Sequence, residues 1–275
     1  MKPRSCFAAI AIWMMTTTLT MADELKMAVT TSFHNSGLSD ILVPEIKEDL
    51  GIDVYLLIVG TGQALKLGRS GDVDAILVHS RKAEEEFVAQ GFGTHRREIM
   101  YNDFVLIGPK TDEAGIKNAK TAAEALTVIA DKGAVFVSRG DDSGTHRKEL
   151  ALWKLAGVNP EQAEGSWYRA SGSGMGATLN TASAMNGYVF ADRASWLNFK
   201  NKGALGLLFS GDPVLFNQYA YLPVNPEKHS HVKKELVAKL ENWLVSPKVQ
   251  KMIGDYEIAG QKLFVPNAGT LDSDS

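Results

Sequence analysis

Val135-Phe136-Val137-Ser138-Arg139-Gly140-Asp141-Asp142-Ser143-Gly144-Thr145-His146-Arg147-Lys148-Glu149-Leu150 opens on three apolar β-formers, passes through a Gly/Asp/Ser loop and continues as helix formers through Trp153. This is a strand, a turn and a helix start. Asp142 or Ser143 serves as the N-cap, and the backbone N–H groups that follow have no intrahelical acceptor, so a partial positive charge faces whatever lies in front. Arg139 adds a permanent charge with a planar fork of donors, and the hydroxyls of Ser143 and Thr145 add neutral donors in the same turn. Each of these groups can donate to an oxyanion. An ordinary capped helix with Arg139 in a surface ion pair would carry the same residues, so the weight of the stretch depends on its surroundings.

Upstream the same pattern recurs. Leu25 to Val29 reads as a strand, Thr30-Thr31-Ser32 follows it, and a helical run extends from Gly37-Leu38 through Leu50. Ile52 to Val59 is a second strand, closed by Gly60-Thr61-Gly62-Gln63-Ala64-Leu65 at the start of another helix. A β-loop-α-β-loop-α order implies a parallel sheet with its loops gathered at the carboxyl ends of the strands, where such sheets bind ligands. Gly60-Thr61-Gly62 lacks the Gly-Lys-Ser/Thr ending of a P-loop and the third glycine of a dinucleotide fingerprint, so no nucleotide is expected. Val73 to Val78 is a third strand with His79-Ser80-Arg81 at its end. No acidic or histidine partners stand at metal spacing around His79, so it is expected to be structural. Gly172-Ser173-Gly174-Met175-Gly176, before the helix from Ala177 to Asn186, is either a close-approach loop or a flexible turn.

At 275 residues the chain is longer than one core usually organises, and two domains are expected. Its hydrophobic content of 45% and charged content of 22% are those of an ordinary soluble protein. A formal net charge of -3 leaves no footprint for nucleic acid or an anionic membrane surface, so any bound anion must be caught by a local site. Residues 1–22 are different: Lys2 and Arg4 precede an apolar run from Cys6 to Met15, and small and hydroxyl residues lead to Ala22. That is a secretory signal peptide, with an apolar core too short to anchor in a bilayer. Cys6, the one cysteine, falls inside it, so the mature chain is expected to lack disulfides and thiol chemistry and to be periplasmic, without membrane insertion.

The apolar strand Tyr101 to Pro109 is a plausible exit from the first lobe, and Tyr219 to Pro226 the return. The expected architecture is α/β, a two-lobed fold in which each lobe is a mostly parallel sheet flanked by helices. Residues 23–108 plus 219–275 form lobe 1, and 109–218 form lobe 2. The hinge is expected in Phe104 to Ile107 and Tyr219 to Val224. Helices from His231 to Val245 and Pro247 to Tyr256 complete lobe 1, ahead of an acidic tail from Asp272 to Ser275.

Taken together, Thr30-Thr31-Ser32, Gly60-Thr61-Gly62-Gln63-Ala64-Leu65, Gly71-Asp72-Val73-Asp74-Ala75, Val78-His79-Ser80-Arg81, Tyr101-Asn102-Asp103-Phe104 and Ser138-Arg139-Gly140-Asp141-Asp142-Ser143-Gly144-Thr145-His146 resemble the tungstate-binding periplasmic components of ABC importers, a family of type II solute-binding proteins. The family's opening motif is usually three threonines and a serine, whereas here the first position is Val29, leaving Thr30 and Ser32 as donors. The resemblance implies one tetrahedral dianion, tungstate or else molybdate, held by Thr30, Ser32, Thr61, Arg139, Ser143 and Thr145 with backbone N–H groups. Thr31, Gly62, Gly144 and Ser171 complete the implied set. It also implies a membrane permease as partner, a monomeric carrier, and neither cofactor nor metal.

Ser143 and His146, with Asp141 and Asp142 beside them, raise the alternative of a phosphoryl- or acyl-transfer enzyme. There is no Gly-x-Ser-x-Gly elbow and no spacing that supplies nucleophile, base and orienter together, so a binder without turnover is expected. Sulfate, molybdate and phosphate are the rival ligands. Hydrogen phosphate carries a proton and needs an acceptor, which Asp141 or Asp142 could supply; tungstate and molybdate need donors only. Both aspartates are expected instead to cap the helix and pair with Arg139 or Lys148.

Overall fold

In the computed structural model, residues 23–163 and 166–269 are described. The expected signal peptide, including Cys6, and the acidic tail lie outside the described residues. β1 (Asp23–Thr30), followed by α1 (Thr31–Asn35) and α2 (Leu38–Leu50), lies between two parallel neighbours, β2 (Ile52–Val59) and β3 (Ala75–Val78). α3 (Thr61–Ser70) joins β2 to β3, and α4 (Arg81–Ala89) follows β3. β4 (Arg97–Pro109) is the longest strand, at 13 residues. After α5 (Ala122–Asp131) comes a second parallel group, in which β5 (Phe136–Ser138) lies between β6 (Tyr168–Ala170) and β7 (Tyr188–Asp192). α6 (Gly144–Leu155) connects β5 to β6, and α7 (Met175–Met185) connects β6 to β7. α8 (Arg193–Asn198), β8 (Leu205–Phe209) and β9 (Phe216–Pro223) follow. The chain then closes with α9 (Lys234–Leu244), α10 (Pro247–Asp255), a small hairpin of β10 (Glu257–Ile258) and β11 (Gln261–Lys262), and β12 (Val265–Pro266) against β4.

The strand order is β2-β1-β3-β9-β4-β7-β5-β6, so two antiparallel strands, β9 and β4, sit between the parallel groups. β4 changes partners partway along. Arg97 to Asp103 pairs with β9, Phe104 to Ile107 pairs with β7, and the end of the strand also pairs with β8. Side chains alternate across a strand, and here alternation divides the core: Phe104 and Leu106 enter an aromatic-rich cluster with Phe136, Trp153, Tyr168 and Phe190, while Val105 and Ile107 enter the larger cluster that also holds β1 and β3. β7 does the same, with Tyr188 and Phe190 on one face and Val189 and Ala191 on the other. The unbroken apolar run Ala75-Ile76-Leu77-Val78 is buried throughout, as expected of a strand covered on both faces. Among the described residues no helix is long and apolar enough to cross a membrane.

Candidate oxyanion site

In register, Thr30 faces Val59 and Val29 faces Leu77, so the loops after β1, β2 and β3 leave the same sheet edge. Thr30 caps α1 in extended backbone, and its Oγ1 accepts from the Phe33 N–H at 3.2 Å. Ser32 Oγ lies 3.1 Å from Thr30 Oγ1, 3.0 Å from His79 Nε2 and 3.0 Å from the Tyr219 hydroxyl. His79, expected to be merely structural, thus touches a candidate donor directly, and its ring lies against that of Tyr219 at 4.8 Å between centroids. Burial lowers its pKa to about 4, so the ring is neutral at physiological pH. Burial also pushes the Tyr219 phenol well up, and it stays protonated. Thr31 is exposed; Thr61 opens α3 beside exposed Gly62. The α3 N-cap is Gly60, which has no side chain to satisfy the first-turn N–H groups, so these remain available to a ligand. Thr61 and Gly62 share the strand edge with Thr30, but among the described residues they make no hydrogen bond to the other candidates.

On the other side, Ser138 pairs with Ala170, which brings the loop after β5 against the loop after β6. The Ser171 N–H donates to the Ser138 carbonyl at 2.9 Å, and the Ser171 hydroxyl donates to the Arg139 carbonyl at 3.2 Å. Gly140 stands at φ +60°, and a Cβ there would come within 2.8 Å of Ala170 Cβ, so only glycine lets the two loops approach this closely. Ser143, not Asp142, caps α6, its Oγ accepting from the His146 N–H at 3.3 Å. Gly144 and buried Thr145 form the first turn. Gly172 is also left-handed and Gly174 caps α7, giving the glycine cluster a turn and a helix start.

Arg139 points Nε at Asp141 Oδ2 (3.1 Å), and the Ser143 N–H donates to Asp141 Oδ1 (3.2 Å). Burial opposes ionisation of Asp141, but bonds from Ser143 and Arg139 outweigh it and hold the carboxyl below its usual range. Asp142 takes φ +57°, which swings its carboxylate outward onto Arg147 through two bonds of 2.9 and 2.7 Å. The expected partner Lys148 is therefore replaced by Arg147: the left-handed residue just before the cap aims its side chain along the outer face of the first turn. Neither aspartate is left uncompensated.

Beneath this loop lies a residue not anticipated from sequence. Glu149 is 1% exposed and accepts from Ser138 (2.9 Å), Tyr168 (2.8 Å) and Trp153 Nε1 (3.3 Å), while Ser138 Oγ accepts the Gly140 N–H at 3.2 Å. Burial raises its pKa to about 7 against those bonds. The signal was present: Thr145, Glu149, Leu152 and Trp153 fall on one helical face, and a carboxylate on an apolar stripe needs donors. A second pair the sequence reading did not single out is buried Asn102 and Asn217, opposite in register on β4 and β9 and bonded at 2.9 Å. The two loop sets approach each other. A Cβ added to Gly144 would lie 3.8 Å from His79 Cε1, and Asn198 of α8 donates to the Asn35 carbonyl of α1 at 3.4 Å. Among the described residues no cluster of three or more His, Cys, Asp and Glu could hold a metal ion.

Two sheet halves joined by crossing strands, with donor-rich loops facing each other at the seam, define a binding protein of the periplasmic, type II class. The chain belongs to the PBP superfamily, whose domain model matches residues 16–248. It is 46% identical over 249 residues to the tungstate-binding protein TupA of Peptoclostridium acidaminophilum, covering 89% of this chain and 86% of that one. Among solved structures, the tungstate-binding protein TupA of Desulfovibrio alaskensis G20 superposes with a TM-score of 0.85 at 48% identity, covering 90% of this chain and 99% of that one. The tungstate ABC transporter structure from Geobacter sulfurreducens gives 0.75 at 51% identity, covering 85% and 98%.

Proposed function

We propose that this chain is the extracytoplasmic solute-binding component of an ABC importer and that it captures tungstate between two lobes, 23–108 with 219–275 and 109–218, for delivery to a membrane permease. The observation that carries the reading is the composition of the seam: hydroxyls, first-turn N–H groups and Arg139 from both halves, with Asp141 and Asp142 each tied to an arginine. Burying a dianion costs many kcal/mol unless donors surround its oxygens, and a set without a free acceptor suits an ion that carries no proton. The relatives' names support tungstate over other dianions, and they support a carrier rather than an enzyme. Thr30, Thr31, Ser32, Thr61 and Gly62 act from one lobe, and Arg139, Ser143, Gly144, Thr145 and Ser171 from the other. The carrier is a periplasmic monomer released by cleavage of the 1–22 signal, and it accepts molybdate as a near-isostere. Calorimetric titration of ligand-free protein with tungstate, molybdate, sulfate and phosphate tests this. Tightest binding is expected for tungstate, and tighter binding of phosphate would overturn the assignment.

A further inference from the structure

Arg139 is the cation of the proposed donor set, and its backbone is held from both sides. Its carbonyl accepts from the Ser171 hydroxyl and from the Ser173 N–H, each at 3.2 Å, and its N–H donates to buried Glu149. The side chain is held as well. Nε and Nη2 both reach Asp141 Oδ2, at 3.1 and 2.5 Å, which leaves Nη1 without a protein partner among the described residues and open to an ion. The weak point is the next residue. Gly140 must be glycine for the loop to pass Ala170, and glycine is also the residue that least resists other backbone conformations. One side chain offsets that freedom. Ser138, fully buried, accepts the Gly140 N–H on Oγ at 3.2 Å and so closes the turn two residues on, while the same Oγ lies 2.9 Å from Glu149 Oε2. An N–H can only donate, so Ser138 accepts from Gly140 whether its own proton goes to Glu149 or to the neighbouring Tyr168 oxygen.

Resting on the tungstate reading above, we propose that Ser138 is a positioning residue for the anion: its hydroxyl, anchored by Glu149, locks the left-handed turn at Gly140 and so presents Arg139 to the seam already in its binding geometry. Without that bond the Gly140 N–H loses its acceptor in a half-buried loop, the turn samples other conformations, and binding must order it again at a cost in affinity. Fully buried, Ser138 reaches no ion itself and acts through its neighbour. The other donors of this loop do not depend on it. Ser143 and Thr145 belong to α6, which is held by its own ladder, beginning with the Arg147 N–H on the Ser143 carbonyl at 2.9 Å, and by the packing of Trp153 edge-on against Phe136.

Titration calorimetry with tungstate, in a double-mutant cycle of Ser138→Ala and Arg139→Ala, tests this. Wild type is the control: if it binds no tungstate, the tungstate reading falls and the same cycle is run with phosphate. Ser138→Ala should weaken binding about tenfold beside Arg139 and by less than about twofold in the Arg139→Ala background. Damage to the fold alone would lower the melting temperature without distinguishing the two backgrounds. Wild-type affinity in folded Ser138→Ala, or an equal loss in both backgrounds, overturns the proposal. Should Ser138→Ala not fold, Ser138→Cys takes its place in the cycle and the same two outcomes decide, because sulfur accepts the Gly140 N–H only weakly.

Discussion

Two ionisable groups, buried Glu149 and half-buried His79, should impose opposite pH dependences on the stability of the ligand-free protein, and single substitutions should expose each. Burial raises Glu149 from an ordinary 4.5 to about 7. Between those values the folded protein holds a proton the unfolded chain has lost, so this contribution is fully present below 4.5 and disappears as pH rises through 7. At about 1.4 kcal/mol per pH unit, the loss amounts to about 3 kcal/mol. His79 runs the other way, lowered by burial from 6.5 to about 4. There the unfolded chain holds the extra proton, and stability is gained as pH rises from 4 to 6.5; the ring is only partly shielded from solvent, which reduces the gain to about 2 kcal/mol. The two slopes oppose each other between 4.5 and 6.5. Urea unfolding at half-unit pH steps on wild type, Glu149→Gln and His79→Leu measures them: differences from wild type cancel the titration of the other groups, and the change of each difference with pH is free of the constant cost of the substitution. The stability of Glu149→Gln minus that of wild type should rise by about 3 kcal/mol from pH 4.5 to 7, and the His79→Leu difference should fall by about 2 kcal/mol from pH 4 to 6.5. A Glu149→Gln difference constant to within about 0.5 kcal/mol would refute the burial argument.

Arg139→Ala should weaken tungstate binding by about a hundredfold and Arg139→Lys by about tenfold, since a point charge cannot reproduce the planar fork; titration calorimetry reads both. Gly144→Ala should bind within a few-fold of wild type, because its Cβ meets His79 at an ordinary 3.8 Å, whereas Gly144→Val should lose about tenfold or more by holding the seam apart. Saturating tungstate should reduce the radius of gyration in small-angle scattering; an unchanged value with binding confirmed would mean a preformed pocket in place of closure.

The alternation of strand, donor-rich loop and helix was legible because each step is local: apolar runs of β-formers, a hydroxyl or glycine at the cap, then helix formers. The shared edge of Thr30 and Thr61 follows from that pattern alone, whereas the pattern narrows the cap of α6 only to Asp142 or Ser143, and the structure selects Ser143. What escaped depends on contacts between residues distant in sequence. His79 looked structural because its partners, Ser32 and Tyr219, stand 47 and 140 positions away. The Asp142–Arg147 pair escaped for the opposite reason, since a single left-handed residue redirected a side chain whose helical neighbours suggested Lys148.

The long-range contacts also suggest how site and crossing strands are coupled. β4 exchanges β9 for β7 between Asp103 and Phe104, and at that point the buried Asn102–Asn217 pair ties the two crossing strands side to side. Asp103 reaches Arg193 at the start of α8 through two bonds of 2.6 and 2.5 Å, fastening the switch point to the helix that touches α1 across the seam. Tyr219, two residues beyond Asn217, carries the connection from β9 to the Ser32 hydroxyl. A rotation at the crossing strands must therefore move Tyr219 relative to Ser32 or carry both together. Only in the first case would an anion bound at Ser32 interact differently with the two arrangements and so bias the rotation.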